Sequence, residues 1–189
     1  MKNFEADITN SVHVLHKAGI ILYPTDTIWG IGCDATSEAA IGKIYRLKRR
    51  EEKKSMIILL GQMSNIKNYV LNPSEKIIDF LSTSKKPTTA IFENAINLPA
   101  TLINEDGSIA IRIVKDYFCK ALIRQLNAPI VSTSANISGD YYPGFFKEIA
   151  DIIKNGVDYI VQHRQNEIEV HQPSSIIKLN RHGDIEKIR

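Results

Sequence analysis

The sequence predicts an α/β fold built on a mixed sheet, and three observations carry that reading. Segments of helical period alternate with short apolar runs along the whole chain, the pattern of βαβ units and their parallel strand pairs. Two turn signals, Asp106-Gly107 and Arg181-His182-Gly183, adjoin strand-like segments, and hairpins require antiparallel pairs. With 189 residues, 43% of them hydrophobic, the chain can bury one good core, so a single domain over 1–189 is expected.

Taken in order, Ile8, Val12 and Leu15 make the inward stripe of a first helix that stops at Gly19, and 20–23 reads as a strand. A second helix spans 38–48, with Ser37 as its N-cap and Ile41, Ile44 and Tyr45 on one face. "SMIILLG" is a buried strand. Asn72 before Pro73 starts a helix through "SEKIIDFL", and "TTAIFE" is the next strand. In "DGSIAIRIV" the alternation puts Ile109, Ile111 and Ile113 on one face and Arg112 on the other. A helix over 116–127, the strand "PIVS", a helix over 145–154 and the strand "DYIVQ" follow. "SSIIKLN" and "DIEKIR" close the chain as a hairpin. The polar stretch "HRQNEIEVHQ", 163–172, is long enough to be a mobile loop.

Several function classes drop out. No apolar run approaches the roughly 20 residues that span a bilayer, and the amino terminus lacks a signal-peptide pattern, so a cytoplasmic protein without membrane contact is expected. Cys33 and Cys119 share no metal-ligand or redox spacing and are expected to pack in the core. His13 and His16 stand three apart without a third ligand, so no protein-held metal is expected. Gly30-x-Gly32-x-x-Ala35 mimics a dinucleotide fingerprint, but Pro24 to Trp29 separates it from the preceding strand and the distant acidic residue is missing. These glycines are read as allowing a tight turn and close helix packing. The net charge of +3 is well short of a dedicated nucleic-acid binder.

Three polar stretches remain. In "LYPTDTIWGIG", 22–32, a strand runs into Thr25, Asp26 and Thr27. In "APIVSTSANISG", 128–139, another runs into Ser132, Ser134 and Asn136. Ligands of open α/β sheets bind beyond the carboxyl ends of strands, so these exits describe a hydroxyl-lined crevice. The cationic run "YRLKRREEKK" lies between them in sequence. Lys48 falls on the inward face of its helix, and a continuous helix would aim Arg50 about 200° away. The two share a ligand only if the helix ends near Lys48 and the chain from Arg49 bends inward.

In this order "YPTDTIWGIG", Lys48-x-Arg50, "KPTTAIFE", "IAIRI" and "STSANISG" resemble the YrdC-like threonylcarbamoyl-AMP synthase family. The resemblance implies a twisted open sheet flanked by helices with a basic concave cleft. It implies the reaction of L-threonine, bicarbonate or CO2, and ATP to threonylcarbamoyl-adenylate and pyrophosphate, with Mg2+ held through the ATP phosphates. A transferase machinery then modifies adenosine 37 of tRNAs that read codons beginning with A. By the same resemblance Lys48, Arg50, Ser134 and Asn136 form the catalytic tetrad. Thr89, Ser132 and Arg189 add nucleotide contacts, and Thr27, Arg112 and Ser174 hold threonine. Thr25 and Asp26 are expected to fix their loop by local hydrogen bonds. Lys54 is a further phosphate candidate, and His163 and His171 flank a possible lid. A monomer is expected, with tRNA contact open. Two other readings stay in view: an RNA-binding module without chemistry, and a relative acting on another carbamoyl donor or acceptor.

Overall fold

The computed structural model describes residues 4–51 and 56–189, so Lys54 lies outside the described residues. Among the described residues nine strands form one sheet: β1 (Ile21–Tyr23), β2 (Gly30–Asp34), β3 (Ile57–Leu60), β4 (Thr88–Phe92), β5 (Ile109–Ile113), β6 (Ile130–Ser134), β7 (Tyr159–Ile160), β8 (Ser175–Leu179) and β9 (Ile185–Lys187). Across the sheet they run β7-β1-β2-β6-β3-β5-β4-β8-β9. β1 with β7, β3 with β5 and β4 with β8 are parallel pairs, and the remaining neighbours are antiparallel. The expected mixed sheet is present, and isoleucine supplies much of it because branched side chains pack well on a pleated surface.

Among the described residues five α-helices accompany the sheet: α1 (Glu5–His16), α2 (Glu38–Lys48), α3 (Glu75–Thr83), α4 (Tyr117–Leu126) and α5 (Asp151–Asn155). α1 buries Ile8, Val12 and Leu15 and packs on α4. α2 begins where Ser37 Oγ accepts from Ala40 N at 3.3 Å, and Ile41, Ile44 and Tyr45 are buried. Cys33 and Cys119 are free and buried, part of one contiguous core with these residues.

Three local expectations are corrected. α3 starts at Glu75, not at Asn72-Pro73: Asn72 is left-handed, with φ of 51°, and Ser74 is the cap, accepting from Ile77 N. The helix over 145–154 is broken into a 3-10 turn, Phe146–Glu148, and the short α5. Ile149 and Ala150 between them are extended. Tertiary contacts override the local preference there, since the Phe146 ring packs on Trp29 at 4.9 Å and the Glu148 carboxylate accepts from Gly144 N at 2.7 Å. Finally, Gly30 and Gly32 lie within β2 and form no turn. A Cβ at Gly32 would stand 2.6 Å from the Tyr23 ring and 2.7 Å from Val131 O, so the residue makes room for a tyrosine laid across the sheet.

Candidate active site

Above the sheet lies a cavity of about 440 Å³ whose walls come from the three polar stretches. Strand parity explains the wall from β5. Ile109 and Ile111 are fully buried behind it, while Ala110 and Arg112 face the cavity. Register explains the opposite wall, because Gly30 pairs with Ser134 and Gly32 with Ser132, placing both serines on one face of the sheet.

The loop after β1 is held by its own hydroxyls. Thr25 Oγ1 accepts from Thr27 N at 3.0 Å and donates to Ile28 O at 2.8 Å. With that proton committed, the 2.9 Å contact between the two threonine hydroxyls has Thr27 as donor. Thr27 Oγ1 also accepts from Arg112 Nη1 at 3.1 Å. One lone pair remains, so Thr27 offers the cavity an acceptor.

Asp26 departs from its expected local role. Its carboxylate crosses to β5, with Oδ1 3.2 Å from Arg112 Nη2, and accepts from Lys115 N at 3.2 Å. The pair is 3% and 9% exposed at arginine and aspartate. A buried guanidinium needs a counter-charge, and Asp26 supplies it. Arg112 Nε remains buried with no hydrogen-bond partner. Arg112 lines the cavity, and a guanidinium there is the charge-assisted partner that an incoming carboxylate would need.

The turn after α2 meets its geometric expectation. The helix ends at Lys48, Arg49 is left-handed with φ of 50°, and Arg50 N reaches Tyr45 O at 3.0 Å. Arg50 thereby lines the cavity, and burial lowers its pKa. Lys48 turns elsewhere. It is 1% exposed, and its Nζ donates to Ser134 O and Asn136 O, each at 2.5 Å. Burial, with Arg50 nearby, pushes it down to about 7. Asn136 likewise bonds within its own loop, donating to Ile137 O and Asp140 O, while its Oδ1 is buried without a partner.

At the far side, Thr89 and Ser174 hydroxyls meet at 2.7 Å, and Ser174 O accepts from Arg189 Nε and Nη2, each at 3.2 Å. Arg189 is tied to β8 as well, its carbonyl accepting from Ile176 N at 2.9 Å. The cavity thus gathers Thr27, Arg50, Arg112, Ser132, Ser134, Ser174 and Arg189. Lys48, Asn136 and Thr89 stand behind its wall.

Sequence reading missed two contributors. Tyr142 lines the cavity and contacts Gln172 at 3.3 Å. Arg164, on the segment expected to be a mobile loop, donates to Thr25 O at 2.8 Å and so braces the threonine loop. Neither carries a local signal, because each acts through a partner distant in sequence. His163 lies against the rings of Phe4 and Phe118, where burial lowers its pKa. His171 is 3.2 Å from Arg164 Nη2. No group of three metal-ligating side chains occurs among the described residues, and none of their helices is long and apolar enough to cross a membrane.

The Sua5/YciO/YrdC family model, described as "Telomere recombination", matches residues 13–189. The threonylcarbamoyl-AMP synthase of Idiomarina loihiensis is 31% identical over 159 residues, 82% of this chain and 86% of that protein. The synthase of Xanthomonas euvesicatoria is 33% identical over 138 residues, 71% of this chain and 73% of that one. Among solved structures, P. abyssi Sua5 complexed with L-threonine superposes with a TM-score of 0.87 over 98% of this chain at 22% identity. This chain spans about half of that one, 54%. E. coli YciO gives 0.82 over 98% of this chain and 89% of its own, also at 22% identity.

Proposed function

This chain belongs to the Sua5/YciO/YrdC family, and from that premise we propose that it joins L-threonine, bicarbonate or CO2, and ATP into threonylcarbamoyl-adenylate, releasing pyrophosphate. The product supplies the group that a transferase machinery places on adenosine 37 of tRNA. The observation that carries this reading is the buried Arg112 guanidinium, its Nε unpartnered, beside the acceptor hydroxyl of Thr27 on one cavity wall. That pair fits an amino acid bearing both a carboxylate and a hydroxyl.

Arg112 takes the threonine carboxylate, and Thr27 accepts from the threonine hydroxyl. Ser174 closes the pocket. The threonine amine, neutral at the moment of reaction, adds to CO2 with loss of a proton, and a carbamate oxygen attacks the α-phosphorus as pyrophosphate leaves. Charge develops on phosphoryl oxygens and on the leaving group, so fixed cations and donors are the main need. Arg50 and Arg189 supply the cations, and Ser132 and Ser134 the hydroxyls. Lys48, Asn136 and Thr89 act behind the wall: Lys48 clamps the carbonyls that shape the Ser134 loop, Asn136 closes that loop, and Thr89 orients Ser174. No carboxylate is among the cavity's described lining residues. This suits a Mg2+ ion carried by the nucleotide phosphates, which it would neutralise, better than one held by the protein.

The test is to mix protein, ATP, Mg2+, bicarbonate and L-threonine and to look for the mixed adenylate by mass spectrometry. L-2-aminobutyrate, which lacks the hydroxyl, is the discriminating substrate. Leaving a buried polar group unpaired costs ~1–3 kcal/mol, so its use should fall by about 5- to 150-fold. Equal use of both amino acids would remove Thr27 from recognition, and no adenylate at all would refute the activity.

A further inference from the structure

We propose that a second groove, outside the adenylate cavity, binds a single-stranded nucleic-acid segment. It encloses about 610 Å³ at the carboxyl end of β3, beside Leu60 and Gly61, and shares no lining residue with the cavity above.

One wall is α4. That helix buries Phe118, Cys119, Leu122, Ile123 and Leu126, which leaves Tyr117, Lys120 and Arg124 at i, i+3 and i+7 as one outward stripe along the groove. Tyr117 is 85% exposed, an unusual place for a large ring. Lys120 and Arg124 are about 6 Å apart along the axis, at 1.5 Å per residue. Neither side chain has an ion-pair partner among the described residues.

The facing wall is built from amides. Gln62, Asn65 and Asn68 recur every third residue, and Met63–Asn68 is a 3-10 helix. With three residues per turn, side chains at that spacing eclipse one another, so Asn65 and Asn68 share a side. Each amide offers both donors and an acceptor. No carboxylate is among the groove's described lining residues.

A stripe of two cations and a ring opposite a row of amides matches one ligand class. The cations meet consecutive phosphates, the tyrosine face stacks a base, and the amides read base edges. An acidic peptide would engage the cations and leave the ring and amides idle. A duplex keeps its bases stacked away from both.

The test uses the full-length protein, a short fluorescein-labelled single-stranded RNA of mixed sequence, and fluorescence anisotropy across a salt series. The paired substitution Lys120→Gln/Arg124→Gln should weaken binding about tenfold or more and flatten the salt dependence by about 1.4, from ~0.7 per neutralised phosphate on a single strand. Tyr117→Ala should weaken binding about fivefold or more with the salt slope unchanged. Both variants should form the mixed adenylate at the wild-type rate and keep the wild-type circular dichroism, since these side chains lie outside the cavity. Four results would overturn the proposal: no binding by the wild type; unchanged binding by both variants; displacement of the RNA by saturating ATP and threonine, which would locate it in the cavity; or displacement by polyglutamate as effective as by unlabelled RNA.

Discussion

Replacing Asp26 with asparagine keeps the side chain's shape and removes the charge that faces Arg112. At 3.2 Å, the attraction is 332/(20 × 3.2), about 5 kcal/mol with an effective dielectric of ~20. Desolvation of both groups offsets part of it, and breaking a buried pair from one side typically costs about 3–5 kcal/mol. A loss near 3 kcal/mol is therefore expected for Asp26→Asn. Against a total stability of roughly 5–15 kcal/mol the variant should still fold. With a slope of about 1–3 kcal/mol per M, its urea midpoint should drop by roughly 1–3 M. Two further readouts separate this pair from general damage. Arg112→Met combined with Asp26→Asn should cost less than the sum of the single changes, because no buried charge is then left alone. L-Threonine should also stabilise Asp26→Asn more than the wild type, since its carboxylate replaces the missing anion beside Arg112. A loss below about 1 kcal/mol, or equal threonine stabilisation of both proteins, would refute the pairing as the device that sets the threonine site.

Arg112→Lys should raise the KM for threonine about tenfold or more, because an ammonium cannot reproduce the two-pronged contact, and steady-state kinetics over threonine concentration will read it. Arg50→Ala should lower kcat by about 10²-fold, whereas Arg49→Ala, at the left-handed end of α2, should stay near wild type; similar rates for both would make the run a charged helix end only. Lys48 gives a pH signature. Burial pushes its pKa in the folded protein down to about 7, below the ordinary lysine value of 10.5, so the unfolded chain binds more protons between those values and stability should rise with pH through that window. Unfolding free energies from urea titrations at successive pH values should therefore climb for the wild type by up to ~1.4 kcal/mol per pH unit relative to Lys48→Met, and parallel curves would refute the assignment.

Local periodicity determined much of this molecule. The alternation in "IAIRIV" turns Arg112 toward the cavity and Ile109 and Ile111 away, since strand side chains change sides at every residue. The 100° step of a helix, applied to Lys48 and Arg50, required α2 to stop where it does. Ser37 announced the start of that helix by a hydrogen bond three residues long.

What the tertiary structure decided are the partners. Asp26 was read as a loop fastener, yet it pairs with an arginine 86 positions on. Lys48 was placed by its helical spacing on an inward face, but that spacing did not announce the carbonyls 86 and 88 positions away to which its Nζ donates. The helix over 145–154 broke because Phe146 found Trp29. Backbone geometry propagates along the chain and leaves a periodic trace in it. A buried charge or ring instead takes whatever counter-charge or surface the packed fold brings within a few ångströms, and sequence spacing carries no record of that choice.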